Sequence, residues 1–146
     1  MINRYSRKEL TDIWSDFNKY SLWLKIEIAA AEAMEKLNII PKGVSKKVKT
    51  KAKINTKRIG QIEKKVKHDV IAFLTSITEK VGPQAKFLHK GMTSSDILDT
   101  SFNLQLRQSG KIILKDIEIL LGTIRKKAIK YKYTLCKGRS HGIHAE

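Results

Sequence analysis

The sequence predicts an all-α protein, on three observations. Only two prolines occur in 146 residues, no stretch alternates apolar and polar residues as a half-buried strand would, and two apolar stripes recur at helical spacing well beyond the roughly 11-residue average helix. Taken in order, Ser6-x-x-Glu9 reads as a capping box opening a first short helix. Trp23, Ile26, Ala30, Ala33 and Leu37 then mark one helical face, ended by Pro41 and Gly43. A third short helix fits the lysine-rich run KGVSKKVKTKAK. Asn55 is placed to cap one long helix with the stripe Ile59, Ile62, Val66, Val70, Phe73, Ile77 and Val81, stopped by Gly82-Pro83. TSSD starts a second long rod, whose seam is Leu106, Ile113, Ile117, Leu120, Ile124 and Tyr131, and Gly138 and Gly142 turn the chain after it. No internal repeat or low-complexity segment appears. Residues 1–93 read as an N-terminal helical domain, and residues 94–146 as the truncated start of a central helical bundle.

Composition narrows the setting. The chain has the length of about one domain. The single cysteine excludes an internal disulfide and favours a reducing compartment, hence the cytoplasm. No run approaches the roughly 18 apolar residues of a membrane span, and the mixed charges of MINRYSRKELTDIW do not fit a signal peptide. The net charge of +16 raises the alternative of a small basic helical module that binds nucleic acid. That charge is mostly lysine spread along helices without interleaved aromatics, which is also how a solvated surface reads.

Three places carry chemistry. On one continuous helix His68 sits two residues from Val66 and from Val70, about 200° around, and so projects away from the apolar stripe. Lys67 and Asp69 flank it in a polar cluster. The loop HKGMTSSD delivers Thr93, Ser94 and Ser95 to a helix start, where free backbone N–H groups suit a carboxylate or phosphate. These hydroxyls equally suit plain helix caps. The closing GRSHGIHAE sets His141 and His144 among glycines. With Cys136 and Glu146 they could be read as metal ligands, but the spacing fits no common framework. A histidine on a loop after a rigid helix suits general acid–base work near neutral pH.

RYSRKELTDIWSDFNKYSLWLKIEIAAAEA, KHDVIAF, KFLHKGMTSSDILDT and GRSHGIHAE together resemble, in order and spacing, the N-terminal third of the adenylosuccinate lyases, in the fumarase and aspartase superfamily. Gly-x-His-Ala-Glu points to this purine branch, where sister enzymes tend to have Leu-Gln after the histidine. The resemblance implies β-elimination of fumarate from adenylosuccinate, giving AMP, and from the succinyl-carboxamide intermediate of purine biosynthesis. It implies His141 as general acid and His68 as an orienting, substrate-contacting partner. It further implies phosphate contacts from Arg4 and Tyr5, a site lined by Lys67, His68 and Asp69, His89 near substrate, and Thr93 and Ser94 at the succinyl end. No metal or organic cofactor is implied. The family forms homotetramers and carries its general base, a serine, on a glycine-rich loop that this chain does not contain. The chain therefore reads as a fragment, inactive alone and prone to self-association along its seam. Ser140 stands where the family usually has threonine.

Overall fold

A computed structural model describes residues 2–135 and 138–145. In chain order it holds α1 (Lys8–Ile13), α2 (Asp16–Lys36), α3 (Val44–Lys51), α4 (Thr56–Val66), α5 (Asp69–Val81) and α6 (Ser94–Lys130). Short 3-10 turns occupy Asn3–Tyr5 and Pro83–Phe87. The described residues are all-α but for one element that the sequence pattern does not reveal, a two-stranded antiparallel hairpin of β1 (Gly138–Ser140) and β2 (Ile143–Ala145). Contacts divide the chain into two compact units, Met1–Ser109 and Gly110–Glu146.

Several starts and stops form as the sequence indicates. The Asn55 side chain accepts the Arg58 amide and opens α4, and Gly82, at φ +80°, ends α5. In α3, Val44 and Val48 turn inward while Lys46, Lys47 and Lys49 stay in water. The Ser6-x-x-Glu9 capping box does not form. The 3-10 turn brings the Ile2 carbonyl within reach, so the Ser6 hydroxyl donates to it at 2.9 Å, and Glu9 pairs with Arg7 at 3.3 Å. Arg7 then precedes α1 with no side-chain cap.

The single long helix expected over 55–81 is two helices. Lys67 takes the left-handed conformation at φ +55°, and the His68 Nδ1 accepts the Ile71 amide at 3.4 Å, starting α5 afresh. A straight helix of that length would run about 40 Å and need an equally long partner for its stripe. Folded back, the two halves cover each other. Ile59, Ile62, Val70, Phe73, Ile77 and Val81 are buried, and only Val66, at the break, is exposed. The antiparallel pairing is tied at its open end by Arg58, whose guanidinium donates to both carboxylate oxygens of Glu79 at 2.6–3.2 Å.

The buried face of α2 also differs from the expected stripe. Tyr20, Trp23, Glu27 and Ala31 face the core, whereas Ala33 and Leu37 are exposed. Tyr20, Trp23 and Phe73 form its aromatic centre, with ring centroids 5.1–5.9 Å apart in stacked and edge-on arrangements.

Helix α6 docks by a narrow and largely polar stripe, Ile97, Ser101, Gln105 and Ser109. The Trp23 indole donates to the Ser101 hydroxyl at 3.0 Å, the Trp14 indole to the Ser109 hydroxyl at 3.1 Å, and the Gln105 amide to the Ile13 carbonyl at 2.9 Å. The seam Leu106, Ile113, Ile117, Leu120, Ile124 and Tyr131 is about half exposed throughout.

Among the described residues three carboxylates held below their ordinary value make stability depend on acid, one of them Glu9, lowered by its own backbone amide and by Arg7. Hydrogen bonds from Arg58 hold Glu79 below the ordinary value of 4.5, and the Ser45 backbone amide, ahead of Gly43 and Val44, does the same for Glu35. Such a group stabilises the fold above its unfolded pKa and loses that contribution as pH falls through the depressed folded value. The melting temperature is therefore expected to hold above about pH 5 and to fall below it. The decline should be shallower in Glu35→Gln/Glu79→Gln; equal slopes would contradict this assignment.

Candidate functional site

The turn that splits α4 from α5 presents three neighbouring side chains. Lys67 closes α4, its amide donating to the Glu63 carbonyl at 2.8 Å, and its left-handed backbone reverses the chain. His68 and Asp69 follow, with the His68 Nδ1 3.5 Å from Asp69 Oδ1 and both side chains nearly half exposed. The Asp69 Oδ1 accepts the Val70 amide at 2.7 Å, placing a carboxylate at the positive end of α5. His68 does face away from the core. The reason is its place as the cap of a new helix, and not the outer face of a continuous one.

At the other sequence-identified positions the structure makes local pairs. Arg4 lies over the Tyr5 ring at 4.8 Å on the first 3-10 turn, and both are exposed. Thr93 precedes α6, and its amide and hydroxyl donate to the Asp96 Oδ2 at 2.7 and 3.2 Å. The start of α6 thus already holds a carboxylate of its own chain. Ser94 is the first helical residue.

His89 is the most firmly held. Its backbone amide donates to Glu27 Oε2 at 2.8 Å, and its ring Nδ1 lies 2.8 Å from Glu27 Oε1. The Glu27 side chain is wholly buried, that of His89 about one-fifth exposed. Sequence reasoning missed Glu27. The available signal was its place between Trp23 and Ala31, one turn from each on a buried face, where a lone carboxylate needs a partner.

In the second unit the register pairs Ser140 with Ile143, leaving His141 and Gly142 as a two-residue turn. Their φ values of +49° and +79° fit a type I′ hairpin turn, the form that matches strand twist. His141 is exposed at its tip. Of the four non-glycine residues at positive φ among the described residues, Asn38, Lys67, His89 and His141, three are residues singled out for chemistry. Bulky side chains in this region carry a backbone cost, and such residues concentrate at functional sites.

Lys67, His68 and Asp69 form one group, His89 with Glu27 a second, Thr93 with Asp96 a third and Arg4 with Tyr5 a fourth. Among the described residues no hydrogen bond or ion pair links one group to another. One open depression, lined by Gly60, Glu63, Lys64 and Lys67, reaches a site residue. Cys136 and Glu146, weighed as metal ligands, lie outside the described residues, within which no cluster of three or more His, Cys, Asp or Glu side chains occurs. No helix of the described residues is long and apolar enough to cross a membrane.

Comparison with known proteins places these groups in context. A family model described as a lyase matches residues 3–146. The adenylosuccinate lyase of Staphylococcus saprophyticus subsp. saprophyticus is 44% identical over all 146 residues, and the chain spans 34% of that protein's length. Among solved structures, a fumarate lyase from Mesorhizobium sp. BNC1 superposes with a TM-score of 0.86 at 25% identity, covering 97% of this chain and 35% of that one. A 3-carboxy-cis,cis-muconate lactonizing enzyme from Pseudomonas putida, at 23% identity and a TM-score of 0.87 over 97% of this chain and 34% of its own, shares the fold.

The left-handed lysine at the helix break supports a direct test. Replacing Lys67 by glycine relieves roughly 1–2 kcal/mol of steric cost and adds roughly 0.5–1 kcal/mol of chain entropy. Lys67→Gly is therefore expected to raise the unfolding free energy by about 0.5–1 kcal/mol in denaturant melts. A loss of stability would show that the lysine side chain outweighs its backbone cost.

Proposed function

The chain belongs to the lyase family whose model it matches over residues 3–146, and from that premise we propose that it is the N-terminal part of an adenylosuccinate lyase. The observation that carries this reading is 44% identity to one such enzyme along the entire chain. The proposed reaction is the β-elimination of fumarate from adenylosuccinate, and from the succinyl-carboxamide ribotide, in AMP and purine biosynthesis. A base removes the proton β to the leaving nitrogen, an acid protonates that nitrogen, and the C–N bond breaks to give fumarate and the amine.

His141 is proposed as the acid. Its ring is exposed at the tip of a tight hairpin, and imidazolium is a competent proton donor. His68 contacts substrate and orients the acid, with Lys67 and Asp69 beside it. Arg4 and Tyr5 take the nucleotide phosphate, His89 lies near substrate, and Thr93 and Ser94 receive the succinyl end. At Thr93 this implies an exchange. Its amide and hydroxyl, now donating to Asp96, would turn to the substrate carboxylate, an equivalent acceptor.

The general base is assigned to the part of the enzyme that this chain does not span, which is most of its relative's length. The 146 residues alone are accordingly proposed to be inactive, and the complete enzyme to be a cytoplasmic homotetramer needing no metal or organic cofactor. The apolar seam of α6 is consistent with a helix that finds partners in such an assembly.

The test sets His141 against its neighbour. In the intact enzyme His141→Gln is expected to lower kcat by at least roughly 100-fold, the scale of positioned proton transfer, with folding unchanged and a smaller effect from His144→Gln. Chelators should leave activity intact, and kcat should fall on the alkaline side as the acid loses its proton. Equal losses from His141, His144 and Cys136 variants, or chelator inactivation reversed by added metal, would overturn the assignment in favour of a metal site.

A further inference from the structure

The buried carboxylate of Glu27 is unexplained by any role named so far. It sits on the core face of α2, between Trp23 and Ala31, with its side chain wholly out of water. Both of its oxygens are spent on one residue, the backbone amide and the ring of His89, each at 2.8 Å. His89 in turn adopts φ +58°, a backbone conformation that histidine seldom takes. A packing role alone would be served by an apolar side chain at this position, and more cheaply.

We propose that Glu27 is a positioning residue that holds the neutral His89 ring as its Nδ1–H tautomer and so presents Nε2 as a hydrogen-bond acceptor to a hydroxyl or N–H of the nucleotide substrate. The argument is one of donors and acceptors. A backbone amide can only donate, so Oε2 accepts from it. An ionised carboxylate can only accept, so the proton between Oε1 and Nδ1 belongs to the ring. In the neutral imidazole the other nitrogen then carries the lone pair. No other hydrogen bond of the His89 ring occurs among the described residues, and none of their buried side-chain nitrogens or oxygens lacks a partner. Nε2 is therefore open to a ligand. Gripping amide and ring of the same residue also fixes the ring's direction, which a single contact would not do. The substrate contact rests on the proposed function; the tautomer does not.

The test reads the tautomer directly. The chain has four histidines, so long-range proton–nitrogen correlation spectra of a histidine-15N-labelled sample, with a His89→Gln control, identify the His89 ring. At a pH where imidazoles are neutral, the expected pattern is protonated Nδ1 and unprotonated Nε2, the reverse of the form favoured in water. Glu27→Gln should switch it. The carboxamide oxygen must stay with the backbone amide, its NH2 then faces Nδ1, and the ring proton moves to Nε2. Wild-type His89 found as the Nε2–H tautomer overturns the proposal, and this result does not depend on the variant's folding. An unswitched pattern in folded Glu27→Gln also overturns it. In the intact enzyme Glu27→Gln should lower kcat/KM by roughly 10-fold or more, on the scale of other groups that orient a reactive histidine. A switched tautomer with unchanged kcat and KM would confirm the pair and remove His89 from the substrate site. That outcome contradicts the presentation of Nε2 to substrate, and with it this part of the proposed function.

Discussion

A carboxylate inside a helical core must be hydrogen-bonded, and the first unit is organised around how Glu27 meets that requirement. Its oxygens draw in the backbone and ring of His89, which pins the loop after the second 3-10 turn against the middle of α2. One helical turn earlier, on the same face, Trp23 donates to Ser101 of α6. Two adjacent residues of one face therefore set both where the loop lies and where the long helix that follows it docks. Removing His89 would leave the wholly buried Glu27 carboxylate without its partner, and breaking a buried pair in this way typically costs about 3–5 kcal/mol. That is a large share of the stability of a chain this size.

The second constraint is the reversal at Lys67 and His68. It turns one long apolar stripe into two that cover each other, and it places a lysine, a histidine and an aspartate together at the turn. Core packing and the placement of these candidate residues are thus the same event here. The candidate site residues at positive φ, Lys67, His89 and His141, sit at a helix break, in a loop and on a hairpin turn. In each case the surrounding element holds a backbone conformation that the residue would not choose alone.

Much of this was legible in the sequence, and the gaps have physical causes. Asn55, Gly82-Pro83 and the short helix of the lysine-rich run signalled correctly because caps and breakers act locally. The break at Lys67 was hidden because neither Gly nor Pro marks it, and the stripe resumes in phase on the far side. The docking face of α6 was hidden because Ser101, Gln105 and Ser109 are polar, while the louder apolar seam from Leu106 to Tyr131 is the exposed one. The hairpin strands are three residues each, too short for an alternating pattern, although Gly142 did mark the turn. Of the candidate site, His68 and His141 stood out by chemistry and position. Lys67 and Asp69 were noticed only as neighbours of His68, and Arg4, Tyr5 and His89 emerged only through resemblance, since no periodicity distinguishes them. Glu27 emerged from neither, because its meaning lies in a partner 62 residues away.

The claim on which the first unit rests is that the loop at His89 is held by a buried carboxylate and is not a solvated connection. Native-state hydrogen exchange at the His89 backbone amide tests it most directly. The amide lies outside any helix or strand and, among the described residues, bonds only to the Glu27 side chain. Protection comparable to that of the core amides of α2 and α5 is the predicted result. Exchange at the rate of an open loop would contradict it.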